Sequence, residues 1–277
     1  MQIKLAESYG FCFGVKRAIK IAENTQNAST IGPLIHNNEE INRLRENFNV
    51  KTLHDISEAK GVDKAIIRTH GIPKKDLEKL VNSNVEVINA TCPYVTKPQE
   101  ICEKMSQEGY EIVIFGDANH PEVKGVESYA IHGAFVVQSI DELEQIVFKK
   151  GKIAVVSQTT RKVSEFLEIT SHLITHYKEV RVFNTICNAT FENQDAARKL
   201  AKEADVVIVI GGKNSSNTKQ LHSICKEYCP DSFLVESEKD LDPSWFNGKM
   251  LCGVTAGAST PDWIIQKIIE KISEIKV

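Results

Sequence analysis

This sequence has no run of 18 apolar residues and no basic segment leading into an apolar one, so neither membrane insertion nor secretion is expected. Blocks of like charge are also missing. Lys and Arg (34) nearly balance Asp and Glu (37), and a net charge of −3 gives no electrostatic case for nucleic acid or an anionic membrane surface. No G-x-G-x-x-G follows a strand-like run, which leaves no evident nicotinamide or flavin site. Low-complexity stretches are absent as well. Together these absences point to a cytoplasmic globular protein. What the chain does have is seven cysteines. Without a secretory leader they read as thiols of a reducing compartment, hence metal or catalytic candidates before disulfides. With 277 residues, 42% hydrophobic and 26% charged, the chain can bury a substantial core.

One stretch organises the rest: VEVINATCPYVTKPQ, from Val85 to Gln99. Its β-branched run stops at Thr91-Cys92-Pro93, where a helix-compatible segment takes over, so Cys92 sits where a strand hands over to a helix. Ligands of open α/β sheets gather outside the carboxyl ends of strands. The same plan recurs at Val182-Phe183-Asn184-Thr185-Ile186-Cys187. From Cys92 to Gly116, and again from Cys187 to Gly211, is 24 residues. Four residues past those glycines stand His120 and Ser215. Near the start, Cys12 is followed by Thr30-Ile31-Gly32, with His36 four residues past the glycine. This predicts three diverged copies of one unit.

In chain order, strands are expected at 2–6, within 65–71 with His70 at its tip, 85–90, 111–116, 152–157, 180–185, 206–210, 232–235 and 251–255. Helices are expected at 15–24, 39–47, 73–81, 164–176, 191–203 and 218–228, with an amphipathic helix last. The helix after Cys92 carries Pro98, which suits a first turn better than an interior. Alternating strands and helices argue for parallel βα units, an α/β fold. The predicted lobes are 13–92, 93–187 and 188–277, the last completed by the N-terminal strand within 1–12, so that the chain closes as a three-fold ring.

In such a ring Cys12, Cys92 and Cys187 would converge. Three thiolates suit a [4Fe–4S] cluster and leave one iron without a protein ligand, the mark of a catalytic metal. Taken singly, each cysteine reads rather as an inert core thiol, and it is the repeated context that favours a metal. Cys102, Cys225, Cys229 and Cys252 lack the repeated context and are expected in the core, although Cys225 and Cys229, four apart, resemble half of a metal site. His36, His70 and His120, with Thr159, Ser215, Ser216, Asn217 and Ser259, supply donors suited to an anion, most naturally phosphate. Thr159 and Ser259 also fit ordinary helix caps. Glu122 is the one carboxylate among these tips, either a proton carrier or a first-turn helix glutamate.

The motifs GFCFGV, IHN, THG, ATCP, HPEV, SQTT, IC, GGKNSSN and TAGAST, in this order along the whole chain, resemble the LytB/IspH family. That resemblance implies three α/β lobes with small parallel sheets arranged as a trefoil around a central iron–sulfur cluster. The activity it implies is 4-hydroxy-3-methylbut-2-enyl diphosphate reduction, a two-electron reductive dehydroxylation in isoprenoid biosynthesis giving isopentenyl and dimethylallyl diphosphate. By resemblance Cys12, Cys92 and Cys187 hold one [4Fe–4S] cluster. His36, His70, His120, Thr159, Ser215, Ser216, Asn217 and Ser259 bind substrate, and Glu122 donates the proton. The expected reductant is flavodoxin or ferredoxin, and the expected state a monomer. Three other readings compete. Quinolinate synthase also has three lobes and three cysteines, an iron–sulfur sensor or carrier would not need the anion donors, and a zinc protein would be colourless.

Overall fold

A computed structural model describes residues 1–275. Its first half contains β1 (Gln2–Leu5), α1 (Phe13–Thr25), β2 (Ser29–Ile31), α2 (Asn38–Phe48), β3 (Lys51–Leu53), β4 (Lys64–Ile67), α3 (Lys74–Val81), β5 (Glu86–Asn89), α4 (Pro93–Gln107), β6 (Glu111–Phe115), α5 (Pro121–Glu127) and β7 (Ala134–Val137). Then come α6 (Ile140–Glu144), β8 (Lys152–Ser157), α7 (Val163–His176), β9 (Glu179–Val182), α8 (Asn188–Glu203), β10 (Val206–Ile210), α9 (Ser216–Tyr228), β11 (Ser232–Val235), β12 (Leu251–Ala256) and α10 (Asp262–Glu274).

The strands build three four-stranded parallel sheets, ordered β3-β2-β4-β5, β7-β6-β8-β9 and β11-β10-β12-β1. Each repeats one plan, and the α/β class with three small parallel sheets is as expected. In the third sheet β1 takes the edge that β5 and β9 take in the others, pairing parallel to β12 with Gln2 opposite Leu251. The plan extends to the strand tips. Gly32, Gly116 and Gly211 each donate their N–H to the last residue of the outer strand, at Leu53, Val137 and Val235, over 2.8–2.9 Å.

The chain falls into two compact units. One comprises Met1–Lys16, His36–Asn42 and everything from Asn188, and carries the sheet β11-β10-β12-β1. All five residues of β10 (VVIVI) are buried, as a parallel strand covered on both faces requires. Ile208, Ile210 and Val254 pack with Ile264, Ile265, Ile268 and Ile272, the helically spaced apolar stripe of α10. Val207 and Val209 on the other face meet Ala197 and Ala201 of α8 and Leu221 of α9. The other unit comprises Arg17–Ile35 and Arg43–Cys187 and carries the remaining two sheets. There Ile112 and Ile114 pack on Cys102 and Met105 of α4, while Val113 and Phe115 face Phe166, Ile169 and Leu173 of α7. Among the described residues, no helix is long and apolar enough to cross a membrane.

The structure departs from the sequence expectation in its short elements, at the end of β9 and at Pro98. Strands β2, β3 and β7 and helices α5 and α6, none foreseen, run only three to seven residues, too short to show a period. Strand β9 stops at Val182 rather than at residue 185, because Thr185 turns its hydroxyl to the backbone of Ser157. Pro98 lies inside α4, whose first turn is occupied by Pro93 instead. Lacking an N–H, Pro98 leaves the carbonyl of Tyr94 without its i→i+4 bond, so α4 forgoes one intrahelical hydrogen bond there.

Candidate active site

The three cysteines of the repeat occupy one structural position. Each stands immediately before a helix (α1, α4 or α8), where backbone N–H groups favour negative charge. Each donates its own N–H to the loop that follows the third strand of its sheet. Cys12 N bonds Ala258 O at 3.2 Å, Cys92 N bonds Thr69 O at 3.0 Å, and Cys187 N bonds Thr159 O at 3.0 Å. Two of the approaches share a further device. The side chains of Asn89 and Asn184 accept from the N–H groups of Thr91 and Ile186, fixing the residue before each cysteine. All three cysteines are half-buried, whereas Cys102, Cys225, Cys229 and Cys252 are buried. Burial pushes the thiols of Cys102, Cys225 and Cys252 up to about 12, which keeps them protonated near neutrality.

In the unit holding β4 and β8, four of the expected residues form a connected set. His120 is the N-cap of α5, and its Nδ1 accepts from Glu122 N at 3.2 Å. A neutral imidazole accepting at Nδ1 carries its proton on Nε2, so the outer edge of His120 is a donor. The His70 ring meets that of His120 edge to face, with centroids 5.4 Å apart. Glu122 is 2% exposed and bound at both oxygens: Thr159 N donates to Oε1 at 2.7 Å and Thr159 Oγ1 to Oε2 at 2.8 Å. Burial pushes its carboxyl above the usual range, and the two bonds from Thr159 only partly oppose this. Thr159 thus holds the carboxyl through its N–H and hydroxyl, and Cys187 through its carbonyl. Gln158, not singled out from the sequence, braces the same tip. Its side chain accepts from Asp117 N and donates to Thr160 Oγ1.

In the unit holding β10 and β12, Ser215 caps α9 by accepting from Thr218 N at 3.3 Å. Ser216 and Asn217 are the first two residues of that helix. Asn217 is 4% exposed, yet both polar atoms of its amide lack a hydrogen-bond partner. A buried unpaired amide is costly, and such groups persist where a ligand satisfies them. Ser259 Oγ donates to the carbonyl of His36 at 3.3 Å. That carbonyl also approaches Gly212 so closely that a Cβ there would stand 2.5 Å from it. His36 is not itself a cap, unlike Ser215 and His120. Asn37 does that work, its side chain accepting from Glu40 N.

A sequence model described as LytB protein matches residues 3–273. A 4-hydroxy-3-methylbut-2-enyl diphosphate reductase of Campylobacter concisus (strain 13826) is 66% identical over 275 residues, 99% of this chain and 100% of the relative. The reductase of the same name from a Nitratiruptor species is 64% identical over 277 residues, the whole of both chains. The structure is also similar to a solved (E)-4-hydroxy-3-methyl-but-2-enyl diphosphate reductase, the terminal enzyme of the non-mevalonate pathway. The TM-score is 0.72 and the identity 44%, over 99% of each chain. An E-1-hydroxy-2-methyl-but-2-enyl-4-diphosphate reductase from Plasmodium falciparum gives 0.91 at 26% identity, over 97% of this chain and 86% of that one.

Proposed function

The chain belongs to the LytB family, and from that premise we propose the chemistry of its site. It is a 4-hydroxy-3-methylbut-2-enyl diphosphate reductase, acting on an allylic diphosphate in the non-mevalonate isoprenoid pathway. The reaction removes the allylic hydroxyl with two electrons and two protons. One proton leaves with the hydroxyl as water and the other ends on carbon, giving isopentenyl or dimethylallyl diphosphate.

Cys12, Cys92 and Cys187 would hold one [4Fe–4S] cluster. Their fit rests on donor chemistry: three half-buried thiols at one repeated position, each with its backbone fixed, while the other four cysteines are buried. When bound, the cluster supplies electrons and, at an iron without a protein ligand, Lewis acidity. The protein's side chains do the rest. Backbone N–H groups at the start of α9, with Ser215, Ser216, Asn217 and Ser259, suit the diphosphate, and the orphaned amide of Asn217 gains its partners there. His36, His70 and His120 add donors. His120 offers Nε2–H because Glu122 N occupies Nδ1. Glu122 is the proton carrier, its carboxyl raised by burial, and the Thr159 hydroxyl on Oε2 is the adjacent relay.

The observation that carries this reading is the Glu122–Thr159–Cys187 chain, which joins a buried acid to a proposed metal ligand through a single residue. Electrons come from flavodoxin or ferredoxin, and the protein works as a cytoplasmic monomer. The test is an anaerobic single turnover of the allylic diphosphate with dithionite and a mediator. Isopentenyl and dimethylallyl diphosphate are expected. Protein with full iron and sulfide content that forms neither would sink the assignment.

A further inference from the structure

The peptide unit joining Thr91 to Cys92 is held at both ends. Its N–H, that of Cys92, donates to Thr69 O, and its carbonyl, that of Thr91, accepts from Arg17 Nη1 at 3.2 Å. A second nitrogen of the same guanidinium, Nη2, reaches Asn89 O at 3.4 Å. Asn89 ends β5 and Cys92 caps α4, so one side chain from α1 spans the turn that converts strand into helix. A planar fork with several donors is suited to this in a way a lysine is not. With the peptide pinned on both sides, the backbone that aims Cys92 Sγ has no free rotation.

Arg17 also brings a positive charge. It shares a cleft of about 390 Å³ with Thr96, Lys97 and Glu100 beside the Cys92 loop. The carboxylate in that cleft has its own cation, since Lys97 Nζ lies 3.6 Å from Glu100 Oε2. Glu100 therefore does not cancel the guanidinium, whose positive charge stands on the peptide preceding a cysteine. Positive charge and hydrogen bonds around a metal–thiolate centre favour its reduced, more negative state.

We propose that Arg17 is a positioning residue for Cys92, and that its charge raises the reduction potential of the metal centre bound there. The inference rests on the cluster reading above. Arg17→Gln and Arg17→Lys holoenzymes, prepared anaerobically beside the wild type, test it. Three readouts are needed: iron and sulfide content, the rate of iron loss to a chelator, and a redox titration followed by EPR. Loss of an outer hydrogen bond to a metal ligand typically weakens metal binding about 10- to 100-fold. Arg17→Gln should therefore lose iron faster by that order, and its midpoint should move to more negative potential. Arg17→Lys should keep a midpoint close to the wild type while still losing iron faster, because an ammonium cannot fork two carbonyls. Wild-type iron retention and midpoint in Arg17→Gln would overturn this inference alone. An equal negative shift in both variants would overturn the role of the charge. A wild-type protein purified without iron and sulfide would overturn the cluster reading and this inference with it.

Discussion

Glu122 decides most at the scale of single residues. Its carboxyl is raised by burial, so protonation favours the folded state. The contribution is complete below the ordinary carboxyl range and is lost as pH rises through the raised folded value. Glu122→Gln should accordingly gain on the wild type in thermal stability as pH goes from acid to neutral. Gln still accepts from Thr159 N, and Thr159 can rotate its hydroxyl to accept from the new amide. Turnover should nonetheless fall by about 10²- to 10⁴-fold, the usual contribution of a positioned acid. Single-turnover rates and melting curves across pH check both halves, and a rate within a few-fold of wild type would remove Glu122 from the mechanism. Residual wild-type activity should decline as pH passes upward through the carboxyl's raised value. At Asn217 the opposite trade is expected. Asn217→Ala deletes a buried unpaired amide, so stability should change little. KM for the diphosphate should rise roughly 10- to 100-fold, since a hydrogen bond to an anion is worth about 1.5–3 kcal/mol. An unchanged KM would mean the amide faces no ligand.

Among the elements, the loop from Gly211 into α9 depends on having no side chain at residue 212. Gly212→Ala would put a methyl 2.5 Å from the His36 carbonyl, so the loop must shift, at about 1–3 kcal/mol for overpacking. Chemical denaturation should show that loss, and KM should rise because Ser215 and Asn217 move with the loop. Wild-type stability would show that the loop yields without cost. The sequence announced the long, central elements here, because buried parallel strands such as β10 and β8 are continuous apolar runs between turn residues. It concealed the short elements β2, β3, β7, α5 and α6, and it misled at Pro98, since nothing local says that Pro93 already opens the helix. The repeat pointed to the cysteines and to the glycine-plus-four positions, two of which are helix caps. What no spacing reveals is a contact across the fold. The bonds of Arg17 to the Asn89 and Thr91 carbonyls, and of Thr159 to Glu122, join residues 37 to 74 positions apart.

Across the whole molecule, one sheet plan is written three times, and the recurring cysteine and glycine hydrogen bonds favour lobes at 13–92, 93–187 and 188–277 with 1–12, a division we infer from them. If those cysteines are equivalent ligands, Ser at Cys12, Cys92 or Cys187 should each lower iron content and abolish turnover. Cys252→Ala, in the core, should keep both, and full iron in Cys92→Ser would end the assignment. The pairing of β1 with β12 sets a schedule for biogenesis. Strand β1 is translated roughly 250 residues before its partner, which is about 10–50 s at ordinary elongation rates. Until then β1 has no ladder, and the N–H of Cys12 has no Ala258 carbonyl to fix it. If Cys12 is a ligand, metal that relies on it is inserted only once β12 and the loop to Ala258 have been made. Ribosome-arrested chains ending before residue 250 should acquire no stable iron, however much the cell supplies.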